Sequence, residues 1–319
     1  MDQFPQEHQA FISMIDKHKI PGSYEEACLH DVWVQAMLEE IGSMVKNGTW
    51  EEVDKPKKKK LVGCRWVYTS TGEIERYKAR LVAKGYTQKY GVDYTETFAP
   101  VAKLHSVRVL LSIAPNLCWN IYQMDVKNAF LQGDLKEEVY MVPPEGVSMG
   151  DNKVCKLKKA IYGLKQSPRA WYHKLSGCLL ENGFRRSESD HTLFTAQDEN
   201  GIVAVLIYVD DIIVTGDNFD GIKRTKGLLK ESFEIKDLGE LKYFLGIEVC
   251  KFVDGLFLSQ RKYVLDLLEE TGKLGVRPAK TPIQESYKVC PEGEPLLEVK
   301  QYQRLVGKLI YLTITRPDI

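Results

Sequence analysis

Two adjacent carboxylates, Asp210 and Asp211, interrupt an otherwise apolar stretch, VAVLIYVDDIIVT, at residues 203–215. The β-branched and apolar residues on both sides predict two short buried strands, with the acids at the tip of the hairpin between them. Because burying an unpaired carboxylate is costly, such residues usually pair with a cation or bind a metal. An ordinary turn is an equally good interpretation of these two residues alone, since Asp is common in turns.

A third carboxylate, Asp125, ends another apolar segment, which begins near Trp119 and continues as YQMDVKNAFL. This pattern predicts a strand that runs into a short helix. Three carboxylates would suit two hard divalent ions such as Mg²⁺, which prefer oxygen ligands and often share them with substrate phosphates. Two such ions about 4 Å apart can bind the attacking and leaving oxygens of a phosphoryl transfer. The three acids together therefore favour a metal site over an ordinary turn.

The YVDD segment and the upstream DVKNAFL segment resemble the palm of a reverse transcriptase. The wider chain, from about Ser23 onward, is similar to the copia-type (Ty1/copia) retrotransposon family. Five further segments resemble that family in the same order: RYKARLVAKGYTQ, ETFAPVAKL, AIYGLKQSPRAWY, KDLGELKYFLGIEV and RLVGKLIYLTITRPDI. The resemblance implies a fragment of a retrotransposon Pol polyprotein that acts as an RNA-directed DNA polymerase. It also implies an α+β right-hand polymerase fold, with fingers, an antiparallel palm sheet and a partial thumb.

The same resemblance implies roles for the charged residues. Asp125, Asp210 and Asp211 would be the catalytic carboxylates and would hold two Mg²⁺ ions, with Mn²⁺ as a possible substitute. Arg80 and Lys78 would grip the triphosphate of the incoming dNTP. Positive charge at that position would offset the charge on the leaving pyrophosphate.

Apolar and small residues also receive roles from the resemblance. Phe130 would lie under the 2′ position of the sugar, and Tyr162 and Gly163 would line the nucleotide pocket, supported by residues 166–169. The primer end would be gripped by a segment of three residues, Phe244, Leu245 and Gly246. Core packing is the alternative for each aromatic side chain, and for Phe244 and Trp171 it is almost as well favoured.

The charge of the chain is balanced overall but segregated along the sequence. It has 44 Lys and Arg against 44 Asp and Glu. Residues 76–92 nevertheless contain five basic residues and no acid, and residues 152–180 contain seven basic residues and no acid. Aromatic residues are interleaved with both runs, which suits contact with an RNA template and a DNA primer. A solvated surface is the alternative interpretation of each run.

The composition predicts a folded intracellular protein. The chain of 319 residues is long enough for one sizeable domain and a smaller one. Its seven cysteines form no CxxC pair, which argues against a disulfide framework. The first residues lack the features of a signal peptide, and no apolar run is long enough to span a membrane. The resemblance implies a cytoplasmic location, in a virus-like particle, with possible access to the nucleus.

The resemblance implies three regions along the chain. Residues 1–46 would form a leader and a helix, residues 47–258 the fingers and palm, and residues 259–319 a thumb region that is incomplete at its C-terminal end. The predicted helices span residues 25–45, 104–114, 167–182, 221–233, 260–271 and 302–313. The predicted strands outside the two acidic segments span residues 61–68, 73–83, 139–142, 154–157, 241–250 and 256–258.

Two features favour an alternative from another class, an inactive or truncated remnant that keeps the fold and at most binds nucleic acid. The connection at residues 69–75 is shorter than the corresponding fingers hairpin in copia-type relatives. The integrase and RNase H segments expected in a full-length polyprotein are also not visible in this chain. The intact set of three acids argues against long decay, so polymerase activity is the favoured interpretation.

Overall fold

The computed structural model describes residues 20–57, 59–71, 76–252, 255–279, 281 and 298–319. Its helices are α1 (Tyr24–Ala27), α2 (Asp31–Lys46), α3 (Leu104–Asn116), α4 (Ala129–Gln132), α5 (Ser167–Glu181), α6 (Phe219–Ser232), α7 (Arg261–Glu270) and α8 (Val299–Leu312). Its first strands are β1 (Trp50–Asp54), β2 (Cys64–Thr71), β3 (Arg76–Ala83), β4 (Asn120–Val126), β5 (Asp134–Met141), β6 (Lys153–Lys159) and β7 (Arg185–Arg186). The later strands are β8 (Leu193–Asp198), β9 (Gly201–Tyr208), β10 (Asp211–Gly216), β11 (Ile235–Glu240), β12 (Tyr243–Phe244), β13 (Ile247–Phe252) and β14 (Gly255–Ser259).

The central feature is an antiparallel sheet with the strand order β11-β4-β10-β9-β8-β7. Successive side chains of a strand point to opposite faces. Ile212 and Val214 accordingly pack with Trp171 of α5 and Ile222 of α6, whereas Ile213 packs on the other face with α3. Both faces are therefore covered, which explains why β9 and β10 are apolar without alternation. The predicted α+β fold with an antiparallel central sheet is confirmed.

A second layer is built from the N-terminal half of the chain. The hairpin of β2 and β3 and the sheet β1-β6-β5 share a core with α2. Trp33 of α2 is almost completely buried, and the edges of Tyr68 and Tyr77 contact its ring at centroid distances of 5.4 and 4.9 Å. Helix α2 therefore packs against one face of the hairpin. The shortened connection noted at residues 69–75 lies partly outside the described residues.

A third region contains a small sheet, β12-β13-β14, together with α7 and α8. The edge of the Tyr311 ring contacts Tyr263 at a centroid distance of 5.2 Å, and its hydroxyl donates to the carbonyl oxygen of Leu245. Helix α8 leaves apolar side chains exposed, including Leu309 and Ile310. In the described part of the chain, no helix is both long and apolar enough to cross a membrane.

The prediction of one helix over residues 25–45 was wrong. His30 has extended backbone angles and separates α1 from α2. Ser23 does cap α1, because its hydroxyl accepts a hydrogen bond from the Glu26 amide. A face with Val32, Ala36, Ile41 and Val45 inward would also fit the helical spacing, but Val32 and Val45 are 45% and 67% exposed. Trp33, Met37 and Met44 bury more apolar area in their place.

The strand predicted over residues 241–250 is a hairpin. Leu245 and Gly246 both have positive φ angles, 50° and 74°, and form the turn between β12 and β13. Such a turn matches the twist of the strands that it joins. The sequence pattern also missed β11, because that strand lies at the edge of the sheet and carries charged residues. Helix α3 continues through Pro115 to Asn116, two residues further than predicted.

Candidate active site

The three acids of the two motifs lie at one end of the central sheet. Strands β4 and β10 are antiparallel neighbours, and Asp125 is the register partner of Asp211. Asp211 also pairs with Tyr208 of β9, so Val209 and Asp210 form a two-residue turn. The amide of Val126 donates to the carbonyl oxygen of Asp210 over 2.9 Å. Backbone pairing thus brings together acids that are far apart in the sequence.

The carboxylate of Asp211 lies in a crowded negative environment. Burial raises its pKa, and the nearby charges of Asp210 and Asp125 raise it further. The side-chain amide of Gln123 opposes this effect by donating to Asp211 Oδ1 over 3.0 Å. Gln123 is itself buried. Like charges this close favour the binding of a cation, because a cation offsets their mutual repulsion.

A cleft of about 1140 Å³ opens above this end of the sheet. Asp125 and Asp210 line it from the sheet, and Lys78 and Arg80 line it from β3. Carboxylate oxygens are the ligand type that hard divalent cations prefer. Among the described residues, however, no three Asp, Glu, His or Cys side chains converge closely enough to hold an ion in this conformation. Asp211 does not line the cleft and instead contacts Gln123.

A cation–π contact and an aromatic contact connect the β2–β3 hairpin to helix α4. The Arg80 guanidinium carbon lies 4.8 Å from the centroid of the Tyr162 ring, within the range of a cation–π contact. The Tyr162 and Phe130 rings meet edge to face, with their centroids 4.8 Å apart. Burial raises the pKa of Tyr162, and the charge of Arg80 partly offsets that effect. Arg80, Tyr162 and Phe130 therefore form one contiguous group.

Gly163 lies where the chain passes very close to β3. Its φ angle is +89°, and a Cβ at this position would lie 2.2 Å from the carbonyl oxygen of Ala83. The neighbouring Tyr162 carbonyl accepts a hydrogen bond from the Ala83 amide over 2.7 Å. Only glycine fits such an approach. The backbone geometry therefore requires glycine at position 163, independent of any contact with a nucleotide.

The segment implied for primer binding lies outside the cleft. Phe244 is only 2% exposed, and its ring contacts Tyr208 at a centroid distance of 6.1 Å. Phe244 is thus a core residue, which was the alternative interpretation to primer binding. Leu245 and Gly246 form the adjacent turn, against Tyr311. None of these residues lines the cleft.

The sequence reasoning missed several residues of the cleft, among them Lys236 and Glu40. Lys236 of β11 is the register partner of Asp125 on the side away from Asp211, and it lines the cleft. Glu40 of α2 is buried, and its Oε1 atom accepts from the Leu81 amide over 3.4 Å. Burial raises the pKa of Glu40, and the charge of Arg80 partly offsets it. The available signals were a lysine in the KDLGEL segment and one acid within the apolar stripe of α2.

Comparison with known proteins identifies relatives along nearly the whole chain. Residues 47–285 match the family described as reverse transcriptase (RNA-dependent DNA polymerase). The chain is 45% identical to a retrovirus-related Pol polyprotein from transposon RE2 of Arabidopsis thaliana, over 99% of this chain and 22% of that protein. It is 39% identical to the Pol polyprotein from transposon TNT 1-94 of Nicotiana tabacum, over 96% of this chain and 24% of the relative.

A search of solved structures finds a foamy viral protease-reverse transcriptase in complex with double-stranded DNA. That structure has a TM-score of 0.45 and 13% identity, and the alignment covers 87% of this chain and 40% of the viral one. The chain spans less than a quarter of the length of the curated polyproteins it matches.

Proposed function

Because the chain belongs to the reverse transcriptase family of copia-type retrotransposon Pol polyproteins, we propose that it catalyses RNA-directed DNA synthesis. In this reaction the primer 3′-OH attacks the α-phosphate of a dNTP, and pyrophosphate leaves. The observation that supports the proposal is the pairing of Asp125 with Asp211, beside Asp210 at the turn. This arrangement puts acids on one wall of a cleft and the cation Arg80 on another.

Reverse transcriptases depend on divalent metal ions, and we propose Mg²⁺ here, with Mn²⁺ as a possible substitute. Asp125, Asp210 and Asp211 would hold two ions, and the donor set fits them because carboxylate oxygens are the ligands that hard divalent cations prefer. When bound, the ions would stabilise charge on the attacking and leaving oxygens. The contribution of the chain itself is a rigid sheet end that presents the acids. The side chain of Asp211 would have to turn from Gln123 to join the others.

The remaining site residues would bind the nucleotide and the primer. Arg80 and Lys78 would balance the charge of the triphosphate, because positive groups at that point stabilise the leaving pyrophosphate. Phe130 would close the space beside the sugar 2′ position, and Tyr162 with Gly163 would form the adjoining wall. Buried Phe244 would act through packing, by supporting the turn of Leu245 and Gly246 against the primer end.

The macromolecular partners in this proposal are an RNA template and a DNA primer. Their phosphates would meet the basic runs at residues 76–92 and 152–180, and the affinity should therefore fall as salt rises. We assign residues 47–258 to fingers and palm and 259–319 to a thumb region. In a full-length polyprotein, integrase and RNase H segments would accompany this region. We propose that it acts inside the cell, in a cytoplasmic virus-like particle with access to the nucleus.

A primer-extension assay on an RNA template, with and without Mg²⁺, tests the proposal. Extension that requires the metal supports polymerase activity. Binding of template and primer without any extension would favour the inactive remnant. The Asp210→Asn substitution should lower extension at least about 10³-fold, because Asp210 would bind the metal ions that stabilise the reacting oxygens. Asp220→Asn, at an exposed position in the first turn of α6, serves as the matched control and should leave extension unchanged.

A further inference from the structure

The turn that carries Asp210 contains an unusual backbone conformation. Val209 has a φ angle of +56°, in the left-handed region. This conformation is rare for a β-branched residue, because its Cβ crowds the main chain. Conformations of this kind persist only where the surrounding structure enforces them. Something in the fold must therefore hold the turn.

Two hydrogen bonds hold the carbonyl groups of this turn. The indole Nε1 of Trp171 donates to the carbonyl oxygen of Val209 over 2.6 Å. The Val126 amide donates to the carbonyl oxygen of Asp210, the next residue along the chain. We propose that Trp171 is a positioning residue, which fixes the peptide plane between Val209 and Asp210 and thereby orients the Asp210 carboxylate. The inference rests on the proposed function only where it concerns catalysis.

Trp171 is well placed for this task because its own position is fixed. Its side chain is 1% exposed, and the Phe233 ring meets the indole edge to face at a centroid distance of 5.2 Å. Its backbone is held as well, since a Cβ on Gly133 would lie 2.7 Å from the Trp171 amide nitrogen. The indole therefore cannot follow the turn if the turn moves. A donor held this rigidly can impose an orientation on its acceptor.

The hydrogen bond from the Trp171 indole restrains one peptide plane. The Val209 carbonyl and the Asp210 amide belong to the same planar unit, so a rotation of that unit shifts both residues together. Rotation of that unit changes the ψ angle of Val209 and the φ angle of Asp210, and it would thereby turn the Asp210 side chain away from its position beside Asp125. A displacement of about 1 Å in a reacting group can lower a rate by about 100-fold. The indole bond opposes that rotation.

The test compares three variants, each of which removes one buried donor from α5. Trp171→Phe removes the indole N–H and keeps an aromatic ring. Replacement of Trp171 by 3-benzothienylalanine puts sulfur in place of the N–H group and keeps the shape of the indole, so packing is preserved. Tyr172→Phe is the matched control, because the Tyr172 hydroxyl donates to the His191 carbonyl oxygen over the same 2.6 Å but away from the turn.

Two measurements on the full chain separate positioning from general stabilisation. The first is the hydrogen-exchange rate of the Val126 amide, whose acceptor is the Asp210 carbonyl. We expect exchange to accelerate at least about tenfold in both Trp171 variants and less than about twofold in Tyr172→Phe. The second is primer extension, where we expect kcat to fall about 10- to 100-fold while the KM for dNTP stays within about twofold.

Equal effects of the Trp171 and Tyr172 changes on Val126 exchange and on kcat would overturn the inference, because they would show a merely structural role. Unchanged exchange and unchanged kcat in the 3-benzothienylalanine variant would overturn it as well. If the wild-type chain shows no extension at all, the proposed function fails instead. In that case the exchange rate of Val126 alone decides whether Trp171 holds the turn.

Discussion

The amide nitrogen of Val126 lies 2.9 Å from the carbonyl oxygen of Asp210 and donates a hydrogen bond to it. Val126 directly follows Asp125, so this bond ties the strand of one acid to the turn of another. The register pair of Asp125 with Asp211 lies beside it. The main-chain positions of the three acids are therefore linked and should stay fixed relative to one another when their side chains rotate.

Replacing Arg80→Lys should raise the KM for dNTP about tenfold and change kcat less. A guanidinium can bind a phosphate with two parallel hydrogen bonds, and an ammonium group cannot, so the loss is about one hydrogen bond. Steady-state primer extension measures both constants. Arg65→Lys on β2 is the control, because Arg65 is exposed and does not line the cleft. Equal KM values for the two variants would remove Arg80 from the nucleotide site.

Replacing Phe130→Ala should increase the incorporation of ribonucleotides while dNTP use persists in part. In the proposed role, the phenylalanine ring would leave no room for a 2′-OH and offer it no hydrogen bond, so it would select by exclusion. Competition between matched ribo- and deoxynucleotides measures the ratio. Phe184→Ala is the control, since Phe184 is buried in the core below the central sheet. If both variants lose about 3–5 kcal/mol of stability and neither changes sugar selection, Phe130 is only a core residue.

Replacing Asp237→Asn should destabilise the protein by roughly 2 kcal/mol at neutral pH. Burial alone would raise the pKa of Asp237, but hydrogen bonds from Lys226, Lys230 and the Gly239 amide outweigh it and lower the pKa to about 2. The lowered pKa stabilises the folded state at pH values above the unfolded-state pKa of about 3.8. This stabilisation is lost as the pH falls towards 2.

The difference in unfolding free energy between wild type and the Asp237 variant should consequently narrow between about pH 4 and pH 2. Denaturant titrations at several pH values provide the measurement. A difference that stays constant across this range would show that the ion pairs do not stabilise the fold.

Replacing Thr49→Val should leave stability unchanged or slightly increased. The Thr49 hydroxyl is buried and has no hydrogen-bond partner in the described part of the chain. Removing an unpaired buried polar atom costs nothing in lost hydrogen bonds. Thr215→Val is the matched comparison, because the Thr215 hydroxyl is equally buried and donates to the Asn120 carbonyl over 2.8 Å. We expect the Thr215 variant to lose about 1 kcal/mol of unfolding free energy in denaturant titrations. Equal losses in the two variants would contradict the conclusion that the Thr49 hydroxyl is unpaired.

The sequence by itself determined the central strands and the family. Apolar, β-branched residues around Asp210 and Asp211 predict a buried hairpin, and Asp125 ends a similar segment. Helices with a clear apolar stripe were also predicted well, as for α5, because their period is a local property. These features depend on neighbours within a few residues, and such neighbours can be read along the chain.

Only the tertiary structure decided which distant groups meet. The register that sets Asp125 opposite Asp211, and the edge strand that brings Lys236 beside Asp125, arise from pairing between strands far apart in the sequence. The indole bond of Trp171 to Val209 joins a helix to a turn 38 residues away. Hydrogen bonds and packing of this kind depend on positions in space, and the local pattern of residue types carries no information about them.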